Sequence, residues 1–254
     1  MKKSLLLLVA LCLSLQVTAP RVQATSTDDC GNWDDVPEED MEVVMAICEY
    51  GFMRGYNEDL WGYGKPMLRS EFAQVANRMS LGTDLYTAVL DGLSWEEAYS
   101  SVKDTFTDMP NPYENDDYEW MVQAIYVADY NDLMKGDGDL QPTTFRPYDS
   151  LNIVESFKVL YQAAKRGGLL GSAFEDQHID YDADPWWLAL MSFMEESGVI
   201  QSLNTSEENF WIYGDKTYSD FNSLMDREDV ALFLYAMIQE GFIDEGDLED
   251  QFVE

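Results

Sequence analysis

Apolar residues recur at intervals of three and four positions in seven stretches of the chain. The first stretch begins at Met41, places Val43, Val44 and Ile47 on one face and stops at Gly51. This spacing predicts an amphipathic α-helix, because residues three and four apart lie on the same side of a helix. We expect six further helical segments, at residues 72–79, 81–104, 121–128, 154–161, 187–194 and 230–237. Strand-like alternation is scarce, so the pattern predicts an all-α fold.

The helical stretches belong to a pattern that occurs three times. Each copy has an aromatic residue or Ile followed within two residues by Asp, then an apolar helix, a loop that contains Gly, and a charged helix start. The copies open at Trp33, Phe106 and Ile179, and successive openings are 73 residues apart. An internal repeat predicts units that bury their apolar faces against one another.

The amino-terminal residues have the composition of an export signal. Lys2 and Lys3 precede an apolar run at residues 5–13, and small residues near Ala24 offer a peptidase site. This pattern predicts a signal peptide at residues 1–24 and a protein exported to the cell wall or cell surface, or secreted. An uncleaved membrane anchor is the alternative, although the run is shorter than the roughly 20 residues of a transmembrane helix. We expect no membrane span once the signal is removed.

The charge of the chain argues against several classes of partner. The 49 acidic residues outnumber the 15 basic ones and give a formal net charge of −34. Nucleic acids and anionic lipids require a cationic surface, so neither is an expected partner. Apolar residues make up 46% of the chain and aromatic residues 13%, which is enough for a packed core.

Two cysteines that follow the signal segment are candidates for a disulfide bond. Cys30 and Cys48 are 18 residues apart in a chain that we expect to reach an oxidising compartment. Two free, partly buried thiols are the alternative. A zinc site is not indicated, because two cysteines and one histidine do not make a convincing ligand set.

Acidic clusters are weak candidates for binding calcium. Carboxylates alternate with other residues in two short segments, and this oxygen-rich spacing suits cation loops. The residues are Asp137, Asp139, Asp180, Asp182 and Asp184. Neither segment completes an EF-hand loop. We therefore expect no cofactor, with calcium as the alternative.

No arrangement of residues indicates an enzyme. The many carboxylates guarantee acidic pairs without singling out the pair of a glycosidase. His178 is the single histidine, and no nucleophilic Ser or Cys motif surrounds it. We expect a binding protein.

The loops and helix starts resemble those of the S-layer homology (SLH) domain. In the first unit, Gly55-Tyr56-Asn57 resembles the Gly-Tyr loop of that family, and Leu68-Arg69-Ser70-Glu71 resembles its Thr-Arg-Ala-Glu signature. The second unit has Phe145-Arg146-Pro147 but Ile153 where the signature arginine is expected. The third unit has Asp226-Arg227-Glu228-Asp229.

This resemblance covers almost all of the chain after the signal segment. It implies three helix-loop-helix SLH-like repeats in a pseudo-threefold arrangement around a shared helical core. The segments are a signal peptide at 1–24, an amino-terminal tail at 25–32, repeats at 33–80, 106–166 and 178–241, a helical insertion at 81–105, a linker at 167–177 and an acidic tail at 242–254.

Members of the SLH family bind an acidic cell-wall polysaccharide, often one capped by a pyruvate ketal, in grooves between repeats. The resemblance therefore implies non-covalent attachment to the bacterial cell envelope by a stand-alone surface protein, with a wall polysaccharide or peptidoglycan-associated glycan as partner. Arg69 and Arg227 match the signature arginine. The other glycan-binding candidates are Arg54, Lys65, Trp33, Asp35 and Tyr56. The alternative is a secreted acidic calcium-binding or protein-interaction module that does not bind glycan.

The signature arginines also have a physical reason to require a partner. A cation in the first turn of a helix opposes the helix dipole, and a guanidinium group binds carboxylates bidentately. An internal ion pair is the alternative for both Arg69 and Arg227. The acidic residues near these helix starts have a structural interpretation as helix caps. Asn152 and Glu155 fit a capping box, whereas Leu68 has no side-chain acceptor and cannot cap. The first unit has the most basic residues near its loop, so we expect the best site there.

Overall fold

The computed structural model describes residues 30–31, 33–137, 143–175, 179, 186–204, 209–211, 217–218 and 222–244. Several sequence-based predictions lie outside these residues: the signal peptide, most of the acidic tail, His178, and the calcium candidates Asp139, Asp180, Asp182 and Asp184. The described part is mostly helical, as the apolar pattern predicts. No helix in it combines the length and the apolar character needed to cross a membrane.

Eight α-helices account for nearly half of the described residues and for most of their regular secondary structure. Each predicted apolar stretch corresponds to one helix, except the segment at 81–104, which forms two. The helices are α1 (Met41–Glu49), α2 (Arg69–Leu81), α3 (Thr83–Gly92), α4 (Trp95–Val102), α5 (Glu119–Tyr130), α6 (Ile153–Gly167), α7 (Trp186–Glu196) and α8 (Arg227–Gln239), with a 3₁₀ turn at Asp116–Tyr118 before α5.

Acidic side chains accept hydrogen bonds from the N-cap amides of three helices, α2, α6 and α8. At α6, Glu155 accepts from the amide of Asn152 at 3.2 Å and Asn152 accepts from the amide of Glu155 at 2.8 Å, which completes the predicted capping box. At α2, Glu71 accepts from the amide of Leu68 at 2.9 Å, and leucine has no side-chain acceptor for the return bond. The corresponding acid and amide at α8 belong to Asp229 and Asp226.

One continuous core joins the three units. Helix α2 packs against both α5 and α6, and α1 packs against α8. Buried aromatic residues from each unit meet in this core, among them Phe72, Phe157 and Phe233. Helices that are far apart in the sequence therefore bury their apolar faces against one another.

A smaller cluster lies beneath the insertion at 81–105. Helix α4 packs on α5. Tyr86, Leu93 and Ala98 of the insertion are buried together with Val122 and Val127 of α5. The insertion is thus a pair of helices fixed to the second unit.

Backbone pairing links the three charged helix starts in a closed cycle. The antiparallel pairs are Leu68 with Ser150, Asn152 with Leu224, and Asp226 with Pro66. The first amide of each helix crosses the same junction: Arg69 donates to Asp149 at 2.8 Å, Ile153 to Ser223 at 3.1 Å and Arg227 to Lys65 at 3.0 Å. Each helix start therefore holds the loop of the next unit, and the third returns to the first.

A small β-sheet between α7 and α8 departs from the all-α prediction. Its strands β1 (Gln201–Asn204), β2 (Asn209–Trp211) and β3 (Thr217–Tyr218) are antiparallel and adjacent in that order. In the first pair, Gln201 lies opposite Trp211. Segments of two to four residues are too short for side-chain alternation to stand out in the sequence, so the pattern did not predict them.

Cys30 and Cys48 form a disulfide bond, which decides between the two alternatives that the sequence left open. Their Cα atoms lie 5.8 Å apart, and Cys48 is buried at the end of α1. The bond ties the amino-terminal segment to that helix. Closing a loop of this length, with a separation of 18 residues, stabilises the fold by about 3 kcal/mol in the chain-entropy account.

Candidate functional site

A cleft of about 360 Å³ opens where the loop after α1 meets α2, α5 and the start of α8. Arg54 and Tyr56 line it from the loop, Arg78 from α2, Trp120 from α5 and Arg227 from α8. The other lining residues are Met53, Gly55, Met67, Glu71, Gln74 and Val75. We call this site the arginine cleft, because three guanidinium groups lie in its wall.

Arg227 is tied to the loop and the helix that form the cleft. Its Nε donates to the carbonyl of Trp61 at 3.0 Å, and its Nη2 donates to the carbonyl of Arg54 at 2.7 Å. Its Nη1 lies 3.4 Å from the carboxylate of Glu71, and its guanidinium carbon lies 4.5 Å from the centroid of the Tyr56 ring. Arg227 is only 5% exposed. It therefore holds the junction together while it lines the cleft.

Tyr56 and Glu71 connect Arg227 to the open side of the cleft. The hydroxyl of Tyr56 donates at 2.9 Å to the same Glu71 oxygen that faces Arg227. Burial, and then the negative charge of Glu71, raise the pKa of Tyr56 above its ordinary value of 10.0, so the phenol keeps its proton and remains a donor. The Tyr56 side chain is 47% exposed, and its ring is accessible to a ligand.

Arg78 and Arg54 supply the other two cations. Arg78 donates to the carbonyl of Phe52 at 3.3 Å and to Oε1 of Gln74 at 3.1 Å. Burial lowers the pKa of Arg78 to about 10, and the positive charges of Arg54 and Arg227 act in the same direction. Arg78 still carries its proton at neutral pH, so it contributes a positive charge to the wall of the cleft.

The arginine cleft reverses the charge of the protein around it. Among its described lining residues, three are arginines and one, Glu71, is a carboxylate, whereas the whole chain carries −34. Guanidinium groups bind carboxylates and phosphates bidentately. Salt limits the repulsion from distant acids to a range of roughly 8 Å. The cleft can therefore hold an anion although the protein is strongly acidic.

Aromatic rings border the cationic groups. Trp120 lines the cleft from α5 and is 37% exposed. Lys65 lies near the rim, where its Nζ is 4.9 Å from the centroid of the Tyr56 ring. Exposed Trp and Tyr rings offer apolar faces next to polar groups. The combination suits a ligand that has both an apolar face and a negative charge.

Asp35 shapes the loop from behind the cleft. Its carboxylate accepts from the amides of Trp61, Gly62 and Tyr63 at 2.7, 2.7 and 2.8 Å. Burial opposes ionisation, but these backbone hydrogen bonds outweigh it and hold the pKa of Asp35 below its ordinary value of 3.8. Asp35, which was predicted to bind glycan, therefore orders the loop that lines the cleft.

Trp33 is a packing residue in this structure and is not among the residues that line the cleft. It is 2% exposed, its ring centroid lies 4.9 Å from that of Trp61, and its indole nitrogen donates to the carbonyl of Asn57 at 3.2 Å. Its surface is covered by the loop, so it supports the site without being accessible to a glycan.

Arg69 lies at a second junction, outside the arginine cleft. Its Nε donates to the carbonyl of Phe145 at 2.7 Å, its Nη2 donates to that of Lys135 at 3.1 Å, and its Nη1 lies 3.9 Å from Glu155. It is 5% exposed. These contacts repeat those of Arg227 one unit further along. The best site was predicted in the first unit. The loop and α2 of that unit line the arginine cleft, but Arg227 and not Arg69 is the helix-start arginine in its wall.

The third junction has an apolar residue at the corresponding position. Ile153 begins α6, is completely buried and donates its amide to Ser223. An apolar side chain supplies no charge for an anion.

Asp137 is the one calcium candidate within the described ranges, and an arginine engages it. Its carboxylate lies 2.5 Å from Nε of Arg146. Within those ranges, no group of three or more His, Cys, Asp or Glu side chains is arranged to hold a metal ion. Calcium binding by the remaining candidates stays a prediction.

Gln74, Arg78 and Trp120 line the cleft but are not among the site residues predicted from the sequence. Gln74 and Arg78 follow Glu71 at intervals of three and seven positions, which puts all three on one face of α2. This spacing could have indicated from the sequence that Gln74 and Arg78 lie beside Glu71. Trp120 comes from another unit, and no local pattern relates it to the cleft.

Comparison with known proteins does not identify a family. No model of a protein family matches the chain, and no curated protein matches it either.

Proposed function

We propose that the protein is a non-catalytic anchor that binds an acidic polysaccharide of the bacterial cell envelope in the arginine cleft. The observation that carries this proposal is the convergence of Arg54, Arg78 and Arg227 on one aromatic-bordered cleft in a chain of charge −34. The described lining has three guanidinium groups and one carboxylate, Glu71, so it carries a net positive charge that attracts an anion. Their preferred anions are carboxylates and phosphates.

The shape and lining of the cleft favour an acidic sugar over a simple ion. Its volume of about 360 Å³ exceeds what a single small anion fills and falls in the usual range of ligand pockets. Trp120 and Tyr56 provide ring faces beside the guanidinium groups. Sugar rings have apolar C–H faces as well as polar edges, so an acidic sugar can use both kinds of group.

The proposed architecture is three SLH-like repeats arranged around a pseudo-threefold axis. The closed cycle of backbone pairs at the three helix starts supports it. So does the repeated use of an arginine, Arg69 or Arg227, to hold the loop of the next unit. An export signal at residues 1–24 would deliver such a module to the envelope, where the glycan is found.

The test is co-sedimentation of the purified protein with wall sacculi from its own organism. One set of sacculi retains the wall polysaccharide, and the other has had it extracted. We expect recovery in the pellet with the first set and in the supernatant with the second, at both low and physiological salt. Equal recovery in the supernatant from both sets would reject glycan anchoring. Equal pelleting with both would point to a protein or peptidoglycan partner.

A matched pair of variants assigns the binding to the cleft. Arg54→Gln removes a charge from the cleft wall, whereas Arg166→Gln makes the same change on the exposed end of α6. We expect only Arg54→Gln to shift the protein into the supernatant. Equal loss in both variants would mean that net charge, and not the cleft, controls sedimentation.

A further inference from the structure

The described parts of a second loop, residues 135–137 and 143–150, make the same backbone contacts as a first loop, residues 54–66. In both loops an Asp accepts from successive amides, and an arginine at a helix start in another unit donates to two carbonyls. The matched positions are Asp35 and Asp108, Arg54 and Lys135, Tyr56 and Asp137, Trp61 and Phe145, Gly62 and Arg146, and Glu71 and Glu155. The two loops can therefore be compared residue by residue.

The most consequential difference lies at Gly62 and Arg146. Both have positive φ, 92° for Gly62 and 60° for Arg146. A Cβ atom at Gly62 would lie 2.3 Å from the Tyr56 ring, so that loop has no room for a side chain there. The second loop has the smaller Asp137 in place of the tyrosine. A non-glycine residue at positive φ is strained, so the contacts of Arg146 must offset a cost.

Arg146 is surrounded by carboxylates. Its guanidinium lies 2.5 Å from Asp137, 2.9 Å from Glu155 and 3.9 Å from Asp149. Asp137 and Glu155 match Tyr56 and Glu71, which line the arginine cleft. An internal guanidinium thus contacts the positions whose counterparts face the ligand space in the first loop.

The three cations described around the second loop are all paired with carboxylates. Lys135 is 2.8 Å from Asp132, and Arg69 and Arg146 both face Glu155. An anion that enters the second loop would therefore have to displace carboxylates of the protein itself, which already occupy Arg146.

We infer that Arg146 closes the second loop as a built-in ligand, so that each chain binds one acidic glycan segment, in the arginine cleft alone. This inference rests on the proposed function. In this inference Arg146 is a specificity-determining residue. It forms ion pairs with the carboxylates around its own loop, and these ion pairs prevent the loop from binding glycan. The protein would then be a monovalent anchor, although the junctions at Arg69 and Arg227 have the same pattern of hydrogen bonds.

Isothermal titration calorimetry of the full chain tests this inference. The probe is a set of short fragments of the organism's own wall polysaccharide, too short to reach from one loop to the other. We expect one fragment per chain. We expect the double variant Arg54→Gln with Trp120→Ala to lose about a hundredfold in affinity. Adding Asp137→Tyr and Arg146→Gly to that variant copies the open loop and should restore binding of one fragment.

The outcomes separate the two proposals. No binding by the parent protein would reject the proposed function and this inference with it. Two fragments per chain, or undiminished binding by the double variant, would support glycan binding and overturn the closure of the second loop. One fragment per chain with no restoration in a variant that circular dichroism shows to be folded would overturn the role of Arg146. Retained binding by Arg166→Gln serves as the control.

Discussion

The Nε of Arg227 donates to the carbonyl of Trp61 at 3.0 Å, while its guanidinium carbon lies 5.3 Å from the centroid of the same indole ring. One side chain thus fixes both the backbone and the ring position of a residue 166 positions earlier in the chain. Since Trp61 begins the segment that Asp35 orders, this contact joins the first and last units at the cleft. Arg227 therefore both stabilises this junction and lines the cleft.

The first prediction concerns the stability provided by the two buried arginines. Arg69→Gln and Arg227→Gln should each lower the free energy of unfolding by about 3 kcal/mol, because each removes the side-chain donor of two carbonyls and one ion-pair partner of Glu155 or Glu71. Urea denaturation measures the change. Lys103→Gln, on an exposed side chain, is the control and should change it by less than about 0.5 kcal/mol. Unaltered midpoints for both arginine variants would show that these contacts do not stabilise the fold.

The second prediction separates binding from stability. Arg54→Gln should weaken binding to wall polysaccharide by about tenfold to a hundredfold, the cost of one charge-assisted hydrogen bond. Arg69→Gln should leave the affinity per folded molecule unchanged, because Arg69 does not line the cleft. Affinity measured by calorimetry at matched concentrations of folded protein decides this. If Arg69→Gln were the weaker binder of the two, the ligand would lie at the second junction.

The third prediction follows from the close packing at Gly62. Gly62→Ala should destabilise the protein by about 1–3 kcal/mol, because the residue has positive φ and the new Cβ would collide with Tyr56. Displacement of Tyr56 should also weaken glycan binding. Gly64→Ala has the same unfavourable φ but open space around its Cβ, so it reports the backbone cost alone. Equal melting temperatures for the two variants would mean that the Tyr56 contact is not restrictive.

The helices and their amino-terminal caps were predictable from the sequence because they depend on the spacing of residues within one helix. The capping acids Glu71 and Glu155 and the apolar stripes act within one helix, and the structure has them as expected. The direction in which Arg69 and Arg227 point is different, since it depends on which loop lies opposite each helix start. Trp120 likewise reaches the cleft only through the packing of α5 on α2. Contacts between distant segments produce no periodic pattern in the sequence, so they could not be predicted from it.

The fourth prediction concerns the disulfide bond. Cys30→Ser with Cys48→Ser should lower the free energy of unfolding by about 3 kcal/mol, because the open chain gains conformational entropy when unfolded. Reduction of the parent protein with dithiothreitol should produce the same shift in a thermal melt. Dithiothreitol added to the double variant is the control and should change nothing. A parent protein insensitive to reduction, with free thiols detected by labelling, would show that the bond does not contribute.

The last prediction uses the depressed pKa of Asp35. A carboxyl group that ionises more easily when folded than when unfolded contributes stability above its unfolded pKa, near 3.8, and loses that contribution as the pH falls through its folded pKa. At neutral pH, Asp35→Asn should cost about 1–3 kcal/mol, because an amide has one acceptor oxygen for three backbone donors and no charge. The gap between parent and variant should narrow as the pH falls below 3.8. Asp34→Asn makes the same charge change on the exposed neighbouring residue and should track the parent throughout. Urea midpoints measured from pH 7 down to pH 3 test this, and a gap that widens toward acid pH would show that the charge of Asp35 does not stabilise the loop.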